Sequence, residues 1–204
     1  MANRSESFSL PPAVRRAAGA FRIIGWISFW AQIVLAVVSA GVLSFASLNL
    51  NANAPRPSIP TAPGVTPVAT DNSITGFGFF FAVCGLVVLF IGAYWAFRYT
   101  RLSRRLATSN TQIRPKRGDA VQALRIGLLI NLVGMLLTIL GAQAIVGALV
   151  AKSMSQGFAV FAGSIPPYIS PLQIFLVQAN INTIMAHFVG VGSTLWLIQT
   201  MNRQ

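Results

Sequence analysis

Hydrophobic residues are concentrated along the chain in four long uncharged runs, separated by polar segments rich in proline or arginine. A helix needs roughly 20 apolar residues to cross a bilayer core about 30 Å thick. The spans that the pattern predicts are about 23–48, 74–97, 126–151 and 172–201. The first run is much longer than the roughly 7 to 15 apolar residues of a cleaved signal sequence, so we expect it to be retained. The sequence therefore predicts an all-α polytopic integral membrane protein with four transmembrane helices.

The composition supports a membrane location, since 54% of the residues are hydrophobic, 9% are charged and the mean hydropathy is +0.67. The charge balance needs a separate explanation, because 15 Lys and Arg stand against 3 Asp and Glu and give a formal net charge of +12. In a soluble chain this excess would indicate nucleic-acid binding. Here the positions of the basic residues along the chain explain the excess better, and we expect no nucleic-acid partner.

Most basic residues lie in the N-terminal segment 1–22 and in the loop 98–125, whereas the other two loops contain only Arg56 and Lys152. Because Lys and Arg favour the cytoplasmic side of a membrane, both termini and the basic inner loop 98–125 are predicted to be cytoplasmic. Interfacial aromatic residues are expected at the same end of the spans; they are Trp26, Trp30, Tyr94, Trp95, Tyr99 and Trp196. The proline-rich outer loop 49–73 is predicted to be a solvated linker.

The inner loop begins with a basic continuation of the second span. Leu102 and Leu106 are spaced like one helical face, which predicts that the helix continues through Tyr99–Leu106. Basic side chains at a membrane surface attract anionic lipid. Anionic headgroups are therefore the expected partners of Arg98, Arg101, Arg104 and Arg105. Asp119, after Gly118, is predicted to be the N-cap of the third helix.

Small and polar residues recur on single faces of the first three predicted helices. On the first they are Gly25, Ser28, Gln32, Ala36 and Ser39; on the second Gly78, Gly85, Gly92 and Ala96; on the third Gly127, Asn131, Gly134, Thr138 and Gly141. Small residues let helices approach closely in lipid, so a compact bundle is expected. The main packing glycines are predicted to be Gly85, Gly92, Gly127, Gly134 and Gly141.

The fourth span is unusually polar on two faces. Asn180, Thr183 and His187 share one face, while Gln178 and Asn182 point nearly opposite, so protein is expected to cover both. Hydrogen bonding between helices is one interpretation. The other is a hydrated substrate path lined by Asn180, Thr183, His187, Gln178, Asn182, Gln143, Asn131 and Gln32, with His187 as a metal ligand.

Several strings of residues in and around these spans resemble a known family. They are Gly25–Gln32, Tyr99–Leu106, Asn131–Met135, Leu140–Gly147, Val150–Lys152, Phe175–Thr183 and His187–Gly190. Together they are similar to the chloroplast inner-envelope family described both as a permease in chloroplasts and as a translocon component, and to its cyanobacterial homologues. The resemblance runs from about Ala18 to Ile198.

The resemblance implies a four-helix membrane protein linked to iron uptake, with preprotein import as a competing role. Plant members are made with a transit peptide, and the start of this chain does not look like one. We therefore expect a cyanobacterial member in the plasma membrane, with the thylakoid membrane as the alternative. The resemblance supplies no ligand set, so the candidate path residues rest on the polar faces.

The chemistry available to a metal path is limited. The acids Glu6, Asp71 and Asp119 all lie outside the spans, and a single Cys84 and a single His187 cannot form a metal cage in one chain. A homo-oligomer or a membrane partner protein is therefore expected. No catalytic or nucleotide-binding motif is present, so we predict no enzymatic activity and no cofactor. The predicted function is an iron permease or permease subunit, with a non-enzymatic component of a protein-translocation or assembly complex as the alternative.

Overall fold

A computed structural model describes residues 12–52, 72–108, 117–161 and 171–202, and these are helical except at 107–108. The helices are α1 (Pro12–Ala52), α2 (Asn72–Leu106), α3 (Arg117–Phe161) and α4 (Pro171–Asn202). Within these ranges there is no strand, so the predicted all-α class is confirmed. Most of the proline-rich loop, the middle of the basic inner loop and the first eleven residues lie outside the described residues.

All four helices are long and apolar enough to cross a membrane. The shortest has 32 residues and the longest 45, so at about 1.5 Å per residue each is longer than a bilayer core of about 30 Å. Helix α1 begins at Pro12, whose fixed φ and missing N–H suit a first helical position. Helix α2 runs through Leu106, which confirms the predicted continuation beyond the span. The orientation of the termini stays a prediction from the charges.

The prediction that Asp119 caps α3 is wrong. The helix begins at Arg117 and Asp119 lies within its first turn, whereas an N-cap residue lies at the boundary with non-helical dihedral angles. The carboxylate is still next to the positive end of the helix dipole, where a negative charge stabilises the helix.

The small and polar faces predicted for α1, α2 and α3 are all buried. The opposite side of α3 is exposed at Gln143 and Gly147. These helices therefore use their weakly hydrophobic faces for contacts within the protein and direct their large apolar side chains outward, as expected in lipid.

The described helices divide into two compact units, and each unit contains a segment of every helix. Unit 1 comprises 12–34, 88–108, 117–133 and 186–202; unit 2 comprises 35–52, 72–87, 134–161 and 171–185. In unit 1, Phe21, Leu124 and Leu197 are fully buried. The indole nitrogen of Trp95 donates a hydrogen bond to the Ala123 carbonyl at 2.9 Å, which joins α2 to α3.

Tyr99 does not behave as an interfacial residue. Its side chain is only 3% exposed and packs in the core of unit 1, edge-on to Phe21 with ring centroids 6.4 Å apart. Gly127 makes room for it, because a Cβ there would collide with the Tyr99 hydroxyl. Trp26, Trp30, Tyr94 and Trp196, by contrast, are about half exposed.

In unit 2, α2 and α3 approach each other through glycines. A Cβ on Gly141 would lie 2.9 Å from the Ala82 nitrogen and 3.0 Å from the Gly78 carbonyl oxygen. A Cβ on Gly85 would collide with Thr138. These contacts place two helix backbones against each other, which only the smallest residues allow.

Candidate functional site

Unit 1 contains a buried polar cluster made of Gln32 from α1, Asn131 from α3 and His187 from α4. Their exposed fractions are 0%, 3% and 0%. The Gln32 amide nitrogen donates to Asn131 Oδ1 at 3.2 Å, and His187 Nδ1 lies 3.3 Å from the same oxygen. One amide oxygen therefore connects three helices.

The hydrogen bonds of Asn131 determine how its amide is oriented. Its nitrogen donates to the Gly127 carbonyl at 2.9 Å, so its oxygen faces Gln32 and His187. Because that oxygen can only accept, the hydrogen bond from the imidazole requires a proton on His187 Nδ1. A neutral imidazole with this tautomer has its lone pair on Nε2.

One polar atom of the cluster has no partner. Gln32 Oε1 is buried and accepts no hydrogen bond. A buried acceptor without a donor costs about 1–3 kcal/mol. The cluster thus holds an amide oxygen that a cation, or a molecule with a hydrogen-bond donor, would satisfy.

Gly190 belongs to this site, and the polar pattern of the sequence did not reveal it. A Cβ on Gly190 would collide with the side-chain amides of both Gln32 and Asn131. Gly92 of α2 also borders the site, because a Cβ there would be 3.0 Å from Asn131 Oδ1. The only signal for Gly190 in the sequence is its position three residues after His187, on the same face of α4.

Unit 2 has its own buried polar residues. Ser39 Oγ donates to the Ala179 carbonyl at 3.0 Å and joins α1 to α4, and Thr183 Oγ1 donates to the same oxygen at 2.9 Å. Asn180 Nδ2 donates to the Leu176 carbonyl at 3.0 Å, while Asn180 Oδ1 is buried without a partner. Asn180 and Thr183 are therefore buried as polar side chains held partly by their own helix backbone.

The remaining candidate path residues do not join a buried cluster. Gln143 and Gln178 are exposed, and Asn182 is half-buried. Gln178 Nε2 donates to Asn182 Oδ1 at 3.1 Å within α4. The second polar face of α4, which was expected to meet protein, therefore lies on the surface of the single chain.

The metal-binding capacity of the site is small. The described residues include no group of three or more His, Cys, Asp or Glu side chains that could hold a metal ion. Cys84 is half-buried in unit 2, and Met185 is 52% exposed. The polar cluster itself offers one imidazole and amide oxygens. Because His187 is fully buried inside its own chain, several copies cannot bring their imidazoles together around a shared axis without rearranging unit 1.

Comparison with known proteins relates the sequence of this chain to a family. Residues 11–202 match the family described as "Protein of unknown function (DUF3611)". The protein named "Protein TIC 21, chloroplastic" from Arabidopsis thaliana is 34% identical over 186 residues, which cover 89% of this chain and 56% of that protein. The chain thus spans about half the length of this curated relative. The match confirms the predicted resemblance, and no solved structure is significantly similar to the chain.

Proposed function

The chain belongs to the DUF3611 family. We propose that it is a membrane permease, or a permease subunit, for iron ions. The substrate comes from the family resemblance, because the residues alone specify only a polar site among membrane-spanning helices. We place the protein in the plasma membrane of a cyanobacterium, without enzymatic activity.

The observation that carries the proposal is the unpaired, buried Gln32 Oε1 in the cluster that Asn131 joins to His187. Ionisable and polar groups inside a membrane are costly, and they often mark the route of an ion or substrate. Three helices contribute to the cluster. The unfavourable burial of polar groups is therefore concentrated at one place in unit 1. A cation entering the cluster would gain the Gln32 oxygen as a ligand.

The ligands available in the cluster limit how much of the hydration shell of an iron ion it could replace. Amide oxygens and one imidazole cannot replace the whole hydration shell of a dication, since Fe²⁺ favours carboxylate, imidazole and thiolate ligands. We therefore propose that the ion keeps part of its water inside the cluster, and that a partner protein or a second copy supplies further ligands outside it. The buried position of His187 supports a route through the interior of the chain.

A test is iron accumulation in a strain that lacks the encoding gene and carries wild type, His187→Ala or Gln178→Ala. Wild type and Gln178→Ala should restore uptake, because Gln178 is exposed and bonded only within α4 in the described hydrogen bonds. His187→Ala should stay near the deletion level although the protein accumulates in the membrane. Normal iron content in the deletion strain would refute the permease proposal.

The second candidate is a non-enzymatic component of a protein-translocation or assembly complex. The absence of any multi-ligand metal group among the described residues favours it, because such a role needs no ion path. In that case deletion would impair the accumulation of exported or membrane proteins while iron uptake stayed normal. His187→Ala would then act only through stability of the helices.

A further inference from the structure

Four exposed arginines follow the aromatic end of α2: Arg98, Arg101, Arg104 and Arg105. At about 100° per residue, Arg98, Arg101 and Arg105 lie within roughly 60° of the helix circumference. They also lie within roughly 10 Å along the helix axis. We call these three residues the α2 arginine face.

Two of these guanidinium groups lie over aromatic rings. The Arg98 Cζ atom is 4.6 Å from the centre of the Trp95 ring, and the Arg101 Cζ atom is 5.2 Å from the centre of the Phe97 ring. Such cation–π contacts favour particular positions of a side chain that is otherwise flexible.

The two rings are themselves held by neighbouring helices of unit 1. Trp95 donates its indole hydrogen to the Ala123 carbonyl of α3, and the Phe97 ring packs against Phe29 of α1 with centroids 5.5 Å apart. Three helices therefore determine where Arg98 and Arg101 present their charges. This arrangement differs from a set of freely moving surface cations.

The depth of the α2 arginine face follows from the exposed aromatic residues of unit 1. Trp26, Trp30 and Tyr94 are 48%, 49% and 62% exposed. Trp and Tyr side chains collect where the bilayer core meets the headgroups. The α2 arginine face begins about one helical turn beyond Tyr94, on the side where the lipid phosphates are expected.

Among the described residues Asp119 is the single carboxylate, so they contain too little negative charge to balance three arginines. The planar guanidinium fork matches a phosphate through paired hydrogen bonds. We infer that the α2 arginine face binds the phosphate of an anionic phospholipid. This site is separate from the buried polar cluster and does not depend on iron transport.

Native mass spectrometry of the full chain in mild detergent tests the inference, with phosphatidylglycerol or phosphatidylcholine added at increasing concentration. Arg98→Ala/Arg101→Ala should weaken phosphatidylglycerol binding by roughly tenfold or more, since each basic residue near anionic headgroups contributes about fivefold. Arg15→Ala/Arg16→Ala removes the same charge from exposed positions on α1. This pair should change the affinity for phosphatidylglycerol by less than about twofold.

A second variant separates geometry from charge. Arg98→Lys/Arg101→Lys keeps both charges but loses the planar fork, and it should bind phosphatidylglycerol at least about threefold more weakly than wild type. The inference fails if both alanine pairs lose the same affinity, if the lysine pair binds as wild type does, or if phosphatidylcholine binds as tightly as phosphatidylglycerol.

Discussion

At the scale of single residues, Asn131 organises the candidate site. Its oxygen serves both Gln32 and His187, while its nitrogen bonds to the backbone of its own helix. The sequence places Gln32, Asn131 and His187 on inward faces of three helices. It could not show that these three meet, because angular position tells which residues share a face of one helix and not which residues oppose each other on different helices.

Gly190 gives a sharp test of this packing. A methyl group at Gly190 would collide with the amides of Gln32 and Asn131, so Gly190→Ala should destabilise the protein by about 1–3 kcal/mol. Gly192→Ala is the matched control on the same helix, because a Cβ there meets nothing within 4 Å. Removing a glycine from a helix should make that control neutral or more stable by up to about 1 kcal/mol.

The measurement for this pair is unfolding of the purified protein in mixed micelles of increasing SDS content, followed by Trp fluorescence. Equal midpoints for the two variants would show that Gly190 is not packed against the polar cluster.

At the scale of helices, the structure explains how polar side chains are accommodated in apolar spans. Thr138, Thr183 and Thr194 each donate to the carbonyl four residues earlier, at 2.8, 2.9 and 2.8 Å. These bonds satisfy hydroxyl donors inside the helix, so the residues cost less in lipid than their polarity suggests. The Gln178–Asn182 bond has the same effect on the exposed face of α4. Polarity in the sequence therefore overstates how many of these residues require a partner helix.

The close contact of α2 with α3 in unit 2 should make the protein sensitive to substitution of Gly141. Gly141→Ala would place a methyl group against the Ala82 and Gly78 backbones, which cannot move aside as a flexible side chain can. We expect a loss of about 1–3 kcal/mol, seen as a lower melting temperature of the helical signal in detergent. Gly147→Ala, on the exposed side of α3, should melt as wild type or slightly higher. A Gly141→Ala protein as stable as Gly147→Ala would contradict the close approach.

At the scale of the whole molecule, the hydrophobic pattern carried most of the predictable information, since it gave the four helices that the structure contains. Spans of this length leave little alternative to helices, because unpaired backbone groups are too costly in lipid. The details that the sequence missed depend on contacts between helices. The sequence predicts that Tyr99 lies at the membrane interface. In the structure it is buried in the core of unit 1, because Gly127 provides the space for its ring. His187 could face a copy of itself or its own chain on sequence grounds, and the structure places it inside its own chain.

The proposed permease would carry iron across a membrane by a route that includes His187. The most direct measurement is iron entry into sealed vesicles that contain only the purified protein, loaded with a dye quenched by Fe²⁺ and kept under reducing, oxygen-free conditions. We expect iron entry well above that of protein-free vesicles for wild type and for Gln178→Ala, and entry near the protein-free level for His187→Ala. If wild-type vesicles admit iron no faster than protein-free vesicles, the chain alone is not an iron permease.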